Sequence, residues 1–177
     1  MDPSSHLNFL TPSAFPFYTQ SISFKDGVIG HKIMKIGVLD GQGGGIGSAV
    51  IKRLREEFAE KVEIIALGTN SIATAQMLKA RANKGATGEN AIVQTAPKMD
   101  ILIGPIGMIM AQSMMGEVTP AMARAVAESP GLKLLIPLSQ ERVEVIGYLS
   151  EPLPHLVEKL VIRLKDELEK IRIAMVS

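Results

Sequence analysis

The chain has 177 residues, enough for a sizeable core, and its 19 Lys and Arg against 18 Asp and Glu leave a net charge of +1. The two signs are interspersed, so there is no basic stripe for nucleic acid and no polybasic patch for a membrane surface. Cysteine is absent, which excludes disulfides, thiolate catalysis and thiolate metal sites; no apolar run reaches the ~18 residues of a transmembrane helix, and His6, His31 and His155 have no metal-ligand spacing.

Residues 1–33 differ from the rest. Phe9, Phe15, Phe17, Tyr18 and Phe24 precede residue 25, and only Phe58 and Tyr148 follow. Pro3, Pro12 and Pro16 interrupt the segment, which has neither a sustained period nor the basic start and apolar core of a secretory signal. We therefore expect a leader, non-native or disordered, with Met34 as the natural start of one domain over 34–177. An ordered aromatic arm docked on that domain is the alternative. A cytoplasmic protein is expected.

From Met34 onward strands alternate with helices. Ile36, Val38 and Leu39 form a first strand. Ile46, Val50, Leu54 and Phe58 then recur at four-residue spacing along one helix face. On its wet side Lys52–Glu56 and Arg53–Glu57 are opposite-charge pairs at i,i+4. Val62–Leu67 reads as a buried parallel strand. Thr69, Asn70 and Ser71 can cap a helix to about Ala82, with Gly85 as its stop. A short edge strand is possible at Lys84–Ala86, and a helical stretch runs from about Glu89 to Ala96. Asp100–Ile103 is a strand closed by Gly104 and Pro105. Ile106–Met115 is apolar on almost every side and, as a helix, would need cover from the domain or a partner. Thr119 caps a helix with Pro120 in its first turn, which Ser129-Pro130-Gly131 ends. Leu132–Ile136 and Val143–Gly147 are further strands. A final helix carries the stripe Leu153, Leu156, Val157, Leu160, Val161, Leu164, Leu168 and Ile171. The whole predicts a three-layer α/β fold, with a mostly parallel sheet and helices on both faces.

The chemistry concentrates where the first strand meets the first helix, in Asp40-Gly-Gln-Gly-Gly-Gly-Ile-Gly47. A helix N-terminus offers unpaired N–H groups and partial positive charge, and glycines let a phosphate come close. Gly41, Gln42, Gly43, Gly44, Gly45, Ile46 and Gly47 are the expected binding loop; a glycine-rich turn that binds nothing is the plain alternative. The spacing is not that of a P-loop, because no Lys-Ser/Thr follows the glycines.

This loop resembles the Gly-x-x-x-Gly-Ile-Gly fingerprint of short-chain dehydrogenases. Over residues 34 to about 172 the chain also resembles an uncharacterised bacterial family of small Rossmann-like proteins. That second likeness is carried by Leu39-Asp-Gly-Gln-Gly-Gly-Gly-Ile-Gly47, Ile103-Gly-Pro-Ile-Gly107 and Gly116-Glu-Val-Thr-Pro120. It implies a Rossmann-like fold and no activity. The dehydrogenase likeness implies NAD or NADP, but it ends at the loop. The catalytic Tyr-x-x-x-Lys is missing, since Tyr148 is followed four residues later by Pro152. An acidic residue that would hold the ribose at the end of the second strand is also missing, where the chain reads Leu67-Gly-Thr-Asn70.

Thr69, Asn70 and Ser71 could instead bond a ribose or a 2′-phosphate, or simply cap their helix. Thr87 and Gly88 are expected near an adenine, and Gly104 and Pro105 beside the ribose; a cap and a strand-ending turn explain them equally. Glu117 is the ionisable group of a polar set with Gln112, Ser113 and Thr119, and so the leading acid or base if chemistry occurs; a solvated carboxylate in a helix linker is the plainer reading. Ser139-Gln-Glu-Arg142 could reach the same crevice. Met108, Met110, Met114, Met115 and Met122 suit core packing, a lid or a subunit interface. The functional expectation is a nucleotide- or dinucleotide-binding protein, assembled as a homodimer through segment 106–122. A non-catalytic oligomeric module that keeps the fold without a cofactor is the competing reading.

Overall fold

The computed structural model describes residues 33–138 and 142–176, with side chains described as far as residue 170. The leader expected at 1–33 therefore lies, except for Ile33, outside the described residues, as do Ser139, Gln140, Glu141 and the side chain of Ile171. Ile33–Asp166 forms one compact unit, and the turns of the last helix from Glu167 are grouped with a second.

The elements follow in the order β1 (Met34–Asp40), α1 (Gly45–Phe58), β2 (Val62–Gly68), α2 (Ser71–Lys79), β3 (Lys84–Thr87), α3 (Glu89–Thr95), β4 (Ile101–Pro105), α4 (Pro120–Glu128), β5 (Leu132–Ile136) and α5 (Leu153–Val176). The strands pair in parallel in the order β3-β2-β1-β4-β5. Chain order reverses between β1 and β4, so their C-terminal ends flank the crevice where such sheets bind ligands. The central strands are apolar on both faces because helices cover both. Leu39, Ile65, Leu67 and Leu102 face a core built with α3 and α4. Ile36, Val38, Ile64, Ala66, Ile101 and Ile103 alternate with them and are buried on the opposite face. The architecture is the Rossmann-like three-layer α/β fold that the alternating pattern predicts.

Helix α1 turns Val50, Ile51 and Leu54 inward. On its wet side Arg53 reaches Glu57 at 3.1 Å and Glu158 of α5 at 2.8 Å, and Lys165 pairs with Glu57. The anticipated Lys52–Glu56 pair is not made. Arg55, a polar position in the pattern, is buried instead. It donates to the carbonyls of Arg81 (2.8 Å) and Ala59 (2.6 Å) and to the Asn83 side chain, closing the C-terminal end of α1.

Several expectations are corrected. Helix α2 stops at Lys79, not near Ala82, because Arg81 turns left-handed (φ 78) and the N–H groups of Arg81 and Ala82 bond back to the carbonyls of Leu78 (2.9 Å) and Met77 (3.3 Å). Gly85 is a β3 residue, close-packed against Thr74 and Leu78, and stops nothing. Gly104 and Pro105 do not close β4 but belong to it and are buried. Val143–Gly147 forms no strand. Gly147 at φ 88 and the Tyr148 N–H donated to the Val145 carbonyl make a turn there, leaving Ile146 93% exposed. Alternation alone cannot make a strand without a partner edge.

The segment expected as a helix over 106–115 is a single 3-10 turn (Ile106–Ile109) followed by tight turns. Gln112, Met114, Met115 and Gly116 all have positive φ. The Ser113 hydroxyl donates to the Gly107 carbonyl at 2.6 Å, and the Gln112 N–H to the Val118 carbonyl at 2.7 Å, folding the loop back on itself. Met108 and Met122 are core residues and Met115 is 87% exposed, so one face is covered without a continuous helix. Thr119 caps α4 as expected, accepting the Met122 N–H at 3.2 Å.

Candidate functional site

The glycine loop leaves β1 at Asp40. Gln42 and Gly44 take left-handed conformations (φ 49 and 69), and the Gly44 N–H closes a turn on the Gly41 carbonyl at 2.9 Å. No side chain at Gly44 can cap α1; Asp40 does so from four residues upstream. Its carboxylate is 3% exposed and accepts the N–H of Gly41 at 2.8 Å and of Gly47 at 2.7 Å. Burial pushes the Asp40 carboxyl above its ordinary range, and the charge of Glu117 adds to this. The N–H bonds from Gly47, Gly41 and Ile46 work in the opposite direction. Gly47 is required by packing, because a Cβ there would lie 2.5 Å from Met77 Sδ of α2. Gly43 and Gly45 are different. Both are exposed, a Cβ on either would meet nothing within 4 Å, and among the described residues no acceptor meets their N–H groups.

Glu117 crosses from the loop after β4 to the ends of β1 and β2. One oxygen, Oε2, accepts the Gln42 N–H at 2.8 Å, the Thr69 hydroxyl at 2.5 Å and the Asn70 amide at 2.8 Å. Partial burial raises the carboxyl, but these three donors outweigh it and hold it below its usual range. Anchored and ionised, it is poorly placed to deliver a proton at neutral pH. Met114 arrives with it, its sulfur 2.6 Å from where a Cβ on Gly41 would be. The glycine loop and the methionine-rich loop therefore meet in the crevice.

Asn70 also performs its capping role, accepting the Ala73 N–H at 2.9 Å, while its amide donates to the Gln42 carbonyl at 3.0 Å. Ser71 is exposed at the first turn of α2. Lys84–Thr87 is the anticipated edge strand. Thr87 donates to the Thr74 hydroxyl at 2.7 Å, which donates to the Asn70 carbonyl at 3.0 Å. Gly88 starts α3 at φ 87, its N–H on the Gly68 carbonyl. Gly104 is a packing glycine, since a Cβ would lie 2.7 Å from the Leu39 carbonyl oxygen. With Pro105 it is buried at the C-terminal end of β4, one of the two strand ends that flank the crevice. Arg142 is exposed and Gln112 lies on the outer turn. Two open grooves lie elsewhere. One of ≈ 280 Å³ runs between β5 and α5 beside Leu134, Ile136, Leu156 and Leu160, and the other of ≈ 400 Å³ lies beside Val93, Pro97 and Ala125. Among the described residues no helix is long and apolar enough to cross a membrane.

Residues 35–169 match the family model described as "Domain of unknown function (DUF3842)". No curated protein matches. Among solved structures, a universal stress protein in complex with cAMP is 20% identical, with a TM-score of 0.32 over 56% of this chain and 94% of that one. So weak a superposition carries no inference about a ligand.

Proposed function

We propose that this chain, which belongs to the DUF3842 family, binds a nucleotide-like anion at the start of α1, an NAD- or NADP-type dinucleotide being the leading class. One observation carries the reading. At the C-terminal edge of a parallel sheet, beside the point where strand order reverses, Gly43 and Gly45 are exposed at the start of a 14-residue helix, and among the described residues no acceptor meets their N–H groups. The other donors of the loop are already occupied. Asp40 takes Gly41 and Gly47, Glu117 takes Gln42, and Gly44 is bonded to Gly41. The phosphate contact is thus narrower than the whole loop suggested. Thr69, Asn70, Thr87 and Gly88 line the neighbouring strand ends and would meet the remainder of the ligand. No residue is assigned a catalytic role.

Titration calorimetry with NAD, NADP, AMP and ATP tests the reading. A Val at Gly43 or Gly45 adds a branched side chain to the loop where a phosphate would approach, and a Cβ at either position meets nothing within 4 Å, so each variant should stay folded and lose at least tenfold in affinity. A ligand present at 100 times its Kd should stabilise the chain by about 2.7 kcal/mol. If none of the four shifts the melting temperature at millimolar concentration, the non-catalytic module that keeps the fold without a cofactor is the correct account. Self-association through segment 106–122 would then fall to exposed side chains such as Met115, because Met108 and Met122 are buried.

A further inference from the structure

We infer that Glu117 is a specificity-determining residue that accepts the hydroxyls of an unphosphorylated ribose and rejects a ribose bearing a second phosphate. This rests on the nucleotide reading above. The carboxylate is held in place from three directions on one oxygen, by the backbone of the glycine loop and by two side chains just beyond β2. Its other oxygen, Oε1, meets no donor among the described residues, and the residue is half-buried. A locked carboxylate with one uncommitted oxygen is an acceptor waiting for an O–H or N–H donor, and it has no means of binding an anion.

The location gives the chemistry its meaning. Rossmann-type sheets place an acid at the end of the second strand to hold ribose hydroxyls. Here Leu67-Gly-Thr-Asn70 has none, yet Glu117 brings a carboxylate to Thr69 and Asn70 from a loop 47 residues further along the chain. The same residue bonds the Gln42 N–H, next to the Gly43 N–H that no acceptor among the described residues meets. A ligand with its phosphate on Gly43 and Gly45 and its sugar toward Thr69 and Asn70 would pass the Glu117 carboxylate that bridges the two. A 2′-phosphate there would face Glu117, and Asp40 close by adds a second negative charge. Left-handed conformations at Gln112, Met114 and Met115 cost backbone energy, and such strain persists where the surrounding structure over-determines it.

The experiment compares ligands that differ only in the 2′-phosphate, NAD against NADP and AMP against 2′,5′-ADP, by calorimetry on the full chain. The wild type should prefer the unphosphorylated member of each pair at least tenfold. Glu117→Gln keeps the shape and removes the charge, so the preference should fall to about twofold or less. Glu117→Asp keeps the charge and shortens its reach, so the phosphorylated ligands should still be rejected while NAD and AMP weaken; it also covers the case in which Glu117→Gln fails to fold. Equal binding of both members by the wild type, or an unchanged ratio in Glu117→Gln, overturns the inference and leaves nucleotide binding standing. If no ligand binds a folded wild type, the nucleotide reading itself falls, and this inference with it.

Discussion

The loop after β1 and the loop after β4 face each other across one crevice and are built on opposite principles. The first is glycine, made of backbone donors, and it presents almost no side chain. The second is methionine-rich and delivers side chains, Met114 against Gly41 and Glu117 against the Gln42 N–H. Each loop supplies what the other lacks, an acceptor for the donors and close backbone approach for the bulky residues. The difference also separates two carboxylates. Asp40 is buried and works within its own loop, whereas Glu117 is half-buried and joins elements 75 residues apart in sequence. A glycine cluster seen alone looks like an empty anion cradle. Seen with its partner loop it is already largely satisfied, and among the described residues only the N–H groups of Gly43 and Gly45 are left over.

The comparison can be broken first within the methionines. Met108→Ala removes a fully buried side chain and should cost about 2–5 kcal/mol in chemical denaturation. Met115→Ala, in the same loop and 87% exposed, should stay within ~0.5 kcal/mol. Equal losses would mean that the loop is not folded back as described.

The carboxylates give the next effect. Asp40→Ala strands the buried N–H groups of Gly41 and Gly47, each costing about 1–3 kcal/mol, partly offset by relief of the buried charge. Glu117→Ala frees donors that water can reach, so its loss should be smaller, about 1 kcal/mol. Urea midpoints of the two variants decide the order, and a larger loss at Glu117 would reverse the roles assigned here.

The smallest effect is in the pH dependence, where the two residues have opposite signs. The Asp40 carboxyl is raised in the folded state, so the native protein holds its proton longer than the unfolded chain. Its contribution therefore falls as pH rises above the ordinary 3.8. The Glu117 carboxyl is lowered, so its contribution is present above the ordinary 4.5 and is lost as pH falls through the lower folded value. Melting curves should show Asp40→Asn flattening the decline above pH 4, and Glu117→Gln flattening the loss below it. Variants that change the slope in the same direction would contradict the two environments.

Much of the architecture was legible in the residues. β1, β2 and β5 are short apolar runs bounded by turn residues, α4 carries Thr119 and Pro120 at its start, and α5 has an unbroken stripe. These depend on interactions a few residues long. Segment 106–115 misled because its apolarity says that it is buried without saying in what shape. Ser113 and the left-handed turns decide that through bonds within the loop. Val143–Gly147 misled because its alternation was genuine while the partner edge was missing.

The site divides along the same line. Local sequence determined that a strand, a glycine turn and a helix would follow one another, and that the segment Thr69-Asn70-Ser71 could cap α2 and Thr119 cap α4, because the backbone groups involved are close neighbours in the chain. Only the tertiary structure decided which glycines are packing glycines, Gly47 and Gly104, and which are open, Gly43 and Gly45, since that depends on Met77 of α2 and Leu39 of β1. It also decided that Glu117 comes to lie against Thr69 and Asn70 just beyond β2. A carboxylate's position depends on donors contributed by separate elements, and those meet only once strand order has reversed between β1 and β4 and the two loops face each other.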